Sequence, residues 1–274
     1  MSKLLHSGFV RMKKDKIFWL GLAALFVYTI LLLASNYKDT IKYDYEMTPD
    51  VISFNFVILA GVVSSVFVSL FVGTEYSDGT IRNKIVVGQK REQIYLSNFI
   101  LCTAAGLLMY VIIILAASAM GRVIFGPFEM SFSSFMLLFA DGALLNIAYA
   151  AIFNLIAMLV SNKSYTAIAC VLVSFVLLFA GIYIIQCLAQ PEMSQQASLV
   201  DGELVYETVK NPAYLSGMKR QVYQFFADFL PGAQSIQVAQ CGPMHPYLML
   251  AYSAVITVIA NISGVLCFRK KDIK

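Results

Sequence analysis

Charged residues are scarce in this sequence. Asp, Glu, Lys and Arg make up 13% of its 274 residues, against roughly 25% in a soluble domain. So few charges cannot clothe a water-exposed surface. That excludes an ordinary soluble enzyme, a disordered chain and a basic nucleic-acid-binding domain. Histidine is scarcer still, with only His6 and His245. There is no GxxxxGK[ST] run, hence no phosphate-cradling loop within the chain, and no HExxH. The five cysteines, Cys102, Cys170, Cys187, Cys241 and Cys267, form no CxxC or CxxxH pair, so no metal site is predicted. A disulfide between Cys187 and Cys241 is one alternative, free thiols the other.

What the sequence has in abundance is apolar length. Hydrophobic residues are 59% of the chain and the mean hydropathy is +0.74. A membrane span needs about 20 mostly apolar residues. Six runs qualify: Ile17–Ser35, Val51–Val72, Leu96–Ala119, Phe132–Val160, Tyr165–Leu188 and Pro246–Phe268. Backbone groups in lipid must bond within their own segment, so each run is predicted as a helix. Length and lack of alternation exclude a barrel. The expected fold is one all-α polytopic membrane domain over residues 1–274. Fourteen of the 20 basic residues lie in the N-terminal segment, the loop after span two, the loop after span four and the C-terminal tail. The positive-inside rule then puts both termini in the cytoplasm.

Asp141 is the only Asp, Glu, Lys or Arg inside any of the six runs. The fourth run is longer than a bilayer core requires. Asp141 is therefore read first as lying at the outer interface, with a polar contact in the bundle or along a substrate path as the alternative. It cannot by itself support acid–base catalysis, and no enzymatic activity is expected.

Three segments outside the runs carry pattern. Residues 2–14 form an amphipathic helix, with Leu4, Leu5, Gly8, Phe9 and Met12 on one arc and Lys3, His6, Arg11, Lys13 and Lys14 opposite. It is expected to lie on the inner membrane surface against anionic lipid. The loop at 73–94 begins at Glu75, turns at Asp78 and Gly79, and continues from Thr80 as a short helix to Val87, stopped by Gly88. The segment at 189–245 is predicted extracellular. Its first part, Gln190 to Lys210, is polar and expected to be loosely ordered. Its second part, between the breakers Asn211-Pro212 and Pro231-Gly232, places Val222, Phe225, Phe226 and Phe229 on one helical stripe, with Arg220, Gln221, Gln224 and Asp228 opposite. The stripe is expected to lie on the outer leaflet or over the outer ends of the spans, or else to be the core of a small extracellular subdomain.

Residues alone leave open a stand-alone membrane protein, either a secondary transporter or a scaffold subunit. Against a secondary transporter, spans two, three, five and six show neither ion-coupling groups nor helix breaks. The order of three motifs favours another reading. These are Glu75-x-x-x-Gly79-Thr80-Ile81-Arg82 with Gly88-x-x-Arg91, then Asn211-Pro212-x-Tyr214-x-x-Gly217-x-x-Arg220 with Leu230-Pro231-Gly232, then the ending Phe268-Arg269-Lys270-Lys271-Asp272-Ile273-Lys274. In these the chain resembles the membrane permease subunits of type-2 ATP-binding-cassette exporters, including bacterial drug, bacitracin and peptide exporters. The resemblance implies a bacterial plasma-membrane location and a dimer with a second copy or a paralogous permease. It implies a separate cytoplasmic ATPase that binds ATP and Mg, this chain holding no cofactor. Glu75, Tyr76, Asp78, Gly79, Thr80 and Arg82 would form the coupling helix seated on that ATPase. The stripe Val222, Phe225, Phe226 and Phe229 would form an outer lid over the translocation path. An amphipathic peptide, antibiotic or lipophilic compound is the implied cargo.

Overall fold

The computed structural model describes residues 1–43, 48–200 and 203–272. The helices are α1 (Ser2–Lys14), α2 (Lys16–Tyr43), α3 (Pro49–Asn55), α4 (Ala60–Ser77), α5 (Thr80–Val86), α6 (Arg91–Phe125), α7 (Phe132–Leu159), α8 (Lys163–Leu188), α9 (Gly217–Phe229), α10 (Pro231–Ala239) and α11 (Pro246–Lys270). Strands β1 (Met193–Val200) and β2 (Glu203–Lys210) form one antiparallel hairpin, with Met193 opposite Lys210 and Val200 opposite Glu203. Among the described residues, six helical stretches are long and apolar enough to cross a membrane: α2, α3 with α4, α6, α7, α8 and α11. The chain is essentially all-α, and each predicted run lies within one of these stretches or, for the fourth, ends one residue beyond it. Of the basic tail, Ile273 and Lys274 lie outside the described residues, as do Asp201 and Gly202 of the polar stretch.

The helices extend past the apolar runs. α6 is 35 residues long, about 52 Å at 1.5 Å per residue, and so exceeds a hydrocarbon core of about 30 Å. The stretch from α3 to α4 and the helix α7 form the centre of the bundle, each 61% buried over its most apolar window, whereas α2, α8 and α11 are 22%, 22% and 17% buried. Span two is not continuous. A 3-10 turn at Phe56–Leu59 separates α3 from α4, which corrects the expectation of unbroken helices there. Both Phe56 and Val57 in this turn are buried.

The N-terminal helix forms as predicted, but its apolar face is not left for lipid. Leu4, Gly8 and Met12 are buried, and Gly8 sits against the side chain of Leu101 on α6. Arg11, assigned by pattern to the wet face, turns inward. The corner into α2 is tied by the Trp19 indole N–H, which donates to the Lys13 carbonyl at 2.9 Å, and by the Ile17 amide, which donates to Asp15 Oδ1 at 2.7 Å.

The segment between spans five and six departs most from expectation. The polar stretch is the β1–β2 hairpin rather than loose chain. Its base is closed by Asn211, whose amide donates to the Glu192 carbonyl at 2.9 Å and whose side chain donates to the Pro191 carbonyl at 3.0 Å. Pro231-Gly232 closes the amphipathic helix as expected, α9 ending at Phe229, but a second helix follows directly. Leu230 is extended, with φ −76° and ψ 126°, and Pro231 occupies the first turn of a second helix, where its missing N–H is harmless. Thus α9 and α10 make a helical hairpin that enters the bundle at the end opposite the termini. Its tip lies where Gly232 meets the backbone of Leu177 and Gly181 on α8. Leu177 is eleven residues below Leu188, about 16 Å along the helix. All nine residues of α10 are buried.

No Cβ fits at Gly232, because it would fall on the Leu177 carbonyl and neither backbone can retreat. We expect Gly232→Ala to cost about 1–3 kcal/mol or more through overpacking. Gly242→Ala, whose Cβ would meet only the Gln240 carbonyl at 3.9 Å, should be near neutral. Thermal unfolding of the detergent-solubilised chain, followed by size-exclusion recovery, checks both. Equal stability of the two variants would show that the hairpin tip is not tightly seated.

Candidate coupling site

The apolar face of α4 ends one turn before its C-terminus, and the first charge met there is Glu75. Asp78 and Gly79 reverse the chain. Gly79 takes the left-handed conformation at φ 66°, which a side chain resists, and serves as N-cap of α5. The cap is Gly79 rather than the expected Thr80. Gly88, at φ 86°, follows the end of α5 as expected. This turn brings Lys84 back over Glu75.

Glu75 is 2% exposed. Its Oε1 receives Arg11 Nη1 from α1 and Lys84 Nζ from α5, each at 2.6 Å, and its Oε2 receives Asn98 Nδ2 from α6 at 2.9 Å. The Arg11 guanidinium also lies 3.7 Å from the centre of the Phe71 ring and donates to the Phe71 carbonyl at 3.3 Å. One carboxylate therefore ties four helices. A buried charge is tolerated only when it is paired and hydrogen-bonded in this way.

Tyr76 heads a second cluster beside the first. Its hydroxyl donates to the Met158 carbonyl in the last turn of α7 and accepts from Lys271 Nζ at 2.8 Å. Half-burial lowers the Lys271 amine from 10.5 to about 8. Arg91 Nη1 donates to the carbonyls of Phe268 and Arg269 at 3.3 Å each, and also to that of Lys271.

What remains free on α5 is one face. Ile81 is buried, whereas Arg82 and Asn83 are exposed and Val86 and Val87 are 77% and 78% exposed. The predicted residues thus divide. Glu75 and Tyr76 anchor, Gly79 and Thr80 shape the turn, and Asp78 and Arg82 face outward. Lys84, not Arg82, makes the ion pair that ties α5 to Glu75. Arg11, Asn98 and Lys271 were missed. Asn98, a polar residue inside the third apolar run, was the available signal, because such a side chain needs a buried partner.

Two other predicted sites can be placed. Asp141 is 3% exposed within the protomer, and neither carboxylate oxygen has a hydrogen-bond partner among the described residues. The next residue, Gly142, packs on Tyr110, whose hydroxyl donates to the Phe139 carbonyl at 3.1 Å. Asp141 is therefore packed against the neighbouring helices of the protomer. On α9 one residue departs from the expected faces: Asp228, assigned to the polar side, is buried, whereas Gln221 on that side is exposed. Val222, Phe225 and Phe226 are 44%, 47% and 41% exposed, while Asp228 is 3% exposed. Asp228 Oδ2 meets His245 Nδ1 at 2.8 Å, at the start of α11. Phe225 and Phe229 set their rings edge-on to Tyr252 of α11, at 5.8 and 5.6 Å. Cys187 and Cys241 are free thiols.

No curated protein matches the chain. The family model described as ABC-2 family transporter protein matches residues 4–181, from α1 through most of α8 and so including all of α4, α5 and α6. That match spans more than half of the sequence. With six helices able to cross a membrane and a short helix tethered between the second and third, the chain belongs to the ABC-2 transporter family as a membrane-embedded permease component.

Proposed function

We propose that this chain forms the translocation path of an ATP-driven exporter and that α5 is the handle through which a separate cytoplasmic ATPase moves it. The observation that carries the reading is the buried Glu75 joint. It holds one face of a seven-residue helix, while Arg82, Asn83, Val86 and Val87 stand free on the other. Two exposed valines flanked by donors suit a groove on a protein partner. Helix α1 and the end of α11 lie at this end of the bundle, and the basic excess there supports a cytoplasmic location.

A second copy is assigned to the open face of α8. Tyr165, Ile168, Leu172, Phe175 and Phe179 are exposed there. They recur at alternating three- and four-residue steps, the spacing of a helix–helix seam. Lipophilic or amphipathic cargo is supported by a cavity of about 580 Å³ between α6 and α7, lined by Phe128, Phe132, Phe135 and Phe139 with Met130 and Met136.

Variants separate the joint from the tip. Glu75→Ala leaves Arg11 and Lys84 without their counter-charge and should destabilise the protein by about 3–5 kcal/mol. Arg82→Ala and Val86→Asp alter only exposed positions, and each should shift stability by about 0.5 kcal/mol or less. Val86→Asp should nevertheless abolish co-purification of the host's ATP-binding-cassette ATPase and ATP-dependent export in proteoliposomes. Retention of both in Val86→Asp would overturn the docking reading.

The α8 seam is tested by disulfide trapping. Phe179→Cys, introduced into the full chain in native membranes, should give an oxidant-dependent dimer, and Leu248→Cys on the exposed face of α11 should not. The reverse pattern would move the second copy to α11.

A further inference from the structure

The end of α11 is fixed far more firmly than a solvated tail requires. Phe268 is fully buried, with its ring 6.4 Å from that of Tyr95. The last carbonyls of a helix lack intrahelical donors. Those of α11 are met by Arg91 at the start of α6. The same need exists at the end of α7, where the Met158 carbonyl accepts from Lys271 Nζ at 3.0 Å and from the Tyr76 hydroxyl. Lys271 Nζ also lies 4.3 Å from the centre of the Tyr76 ring. A cation placed on a helix C-terminus and over an aromatic face is favoured by both fields. Tyr76 is the residue next to Glu75. The root of α5 is thus gripped twice, by Arg11 from one end of the chain on Glu75 and by Lys271 from the other end on Tyr76.

We propose that Lys271 is a positioning residue for α5, holding the end of α11 to Tyr76 and to the last turn of α7 so that the last span and the handle move as one body. The functional importance of that position rests on the coupling reading above, but the contact itself can be tested without any ATPase. Hydrogen exchange of the full-length chain in lipid nanodiscs reports it. In Lys271→Met the amides of Thr80–Val86 should exchange faster by about tenfold, the scale of one charge-assisted hydrogen bond. Lys271→Arg, which keeps charge and donors, should recover most of that protection. Lys270→Met, at the exposed neighbouring position, should change nothing. Tyr76→Phe should act in the same direction, and the double variant should be no worse than either single one, as expected for one shared contact. Should Lys271→Met fail to insert, Tyr76→Phe against wild type carries the test. Unchanged exchange in α5, with loosening confined to residues 268–272, would overturn the proposal. So would strictly additive effects of the two substitutions. Loss of ATPase binding in Val86→Asp with normal α5 exchange would bear on docking alone.

Discussion

A carboxylate that is 2% exposed at the end of an apolar helix has to be neutralised where it stands. Glu75 is neutralised by two cations and an amide drawn from α1, α5 and α6. Each donor belongs to a different helix, so all three positions relative to α4 are set together. Such a pair adds little net stability against an apolar alternative, because desolvation offsets most of the attraction. Its effect is geometric. Moving any one donor leaves a buried charge uncompensated, which makes the corner stiff. The inward turn of Arg11 also explains why α1 packs on α6 through Leu4, Gly8 and Met12 instead of lying free on lipid.

The opposite end of the bundle is held by different chemistry. There the α9–α10 hairpin carries backbone into the interior, and its polar groups must find partners within the protein. Gln234 Nε2 donates to the Asp228 carbonyl at 2.6 Å, Gln237 Nε2 donates to the Ala227 carbonyl at 2.8 Å, and Ser253 Oγ donates to Gln234 Oε1 at 2.7 Å. These amides cross between α9, α10 and α11 and free the aromatic stripe to face outward. The helix α11 joins the two regimes. It starts at His245 beside Asp228 and ends beside Arg91 and Lys271.

The spans and the short helix after span two were legible because each depends on local pattern alone. Apolar length fixes a span, and Asp78-Gly79 fixes the turn, with no knowledge of neighbours. Glu75 was legible as a place where an apolar run meets charge. Its partners were not, since Arg11 and Asn98 are 64 and 23 residues away along the chain and helical periodicity put Arg11 on the wrong face. The hairpin failed for a related reason. Amphipathic spacing on α9 identifies a two-sided helix but not which side is buried. Here small Ala227 and Asp228 are buried, while Val222, Phe225 and Phe226 are partly exposed. The contact with His245, seventeen residues along the chain, is what gives the buried Asp228 a partner.

Stiffness at one end matters mechanically only if something further along can yield. The interruption of span two supplies that place. Below it, α4 is continuous from Ala60 to Ser77 and locked to α5 through Glu75. The interruption itself, the 3-10 turn at Phe56–Leu59, has the tighter, poorer hydrogen-bond geometry at which a helix changes direction with least loss. Phe56 sets its ring 5.7 Å from that of Tyr110, and Tyr110 in turn packs against Gly142, beside the unpartnered Asp141. On the coupling proposed above, a push on α5 would travel along α4 to Ala60 and reach the turn whose Phe56 ring packs on Tyr110, one step from Gly142 and the buried Asp141.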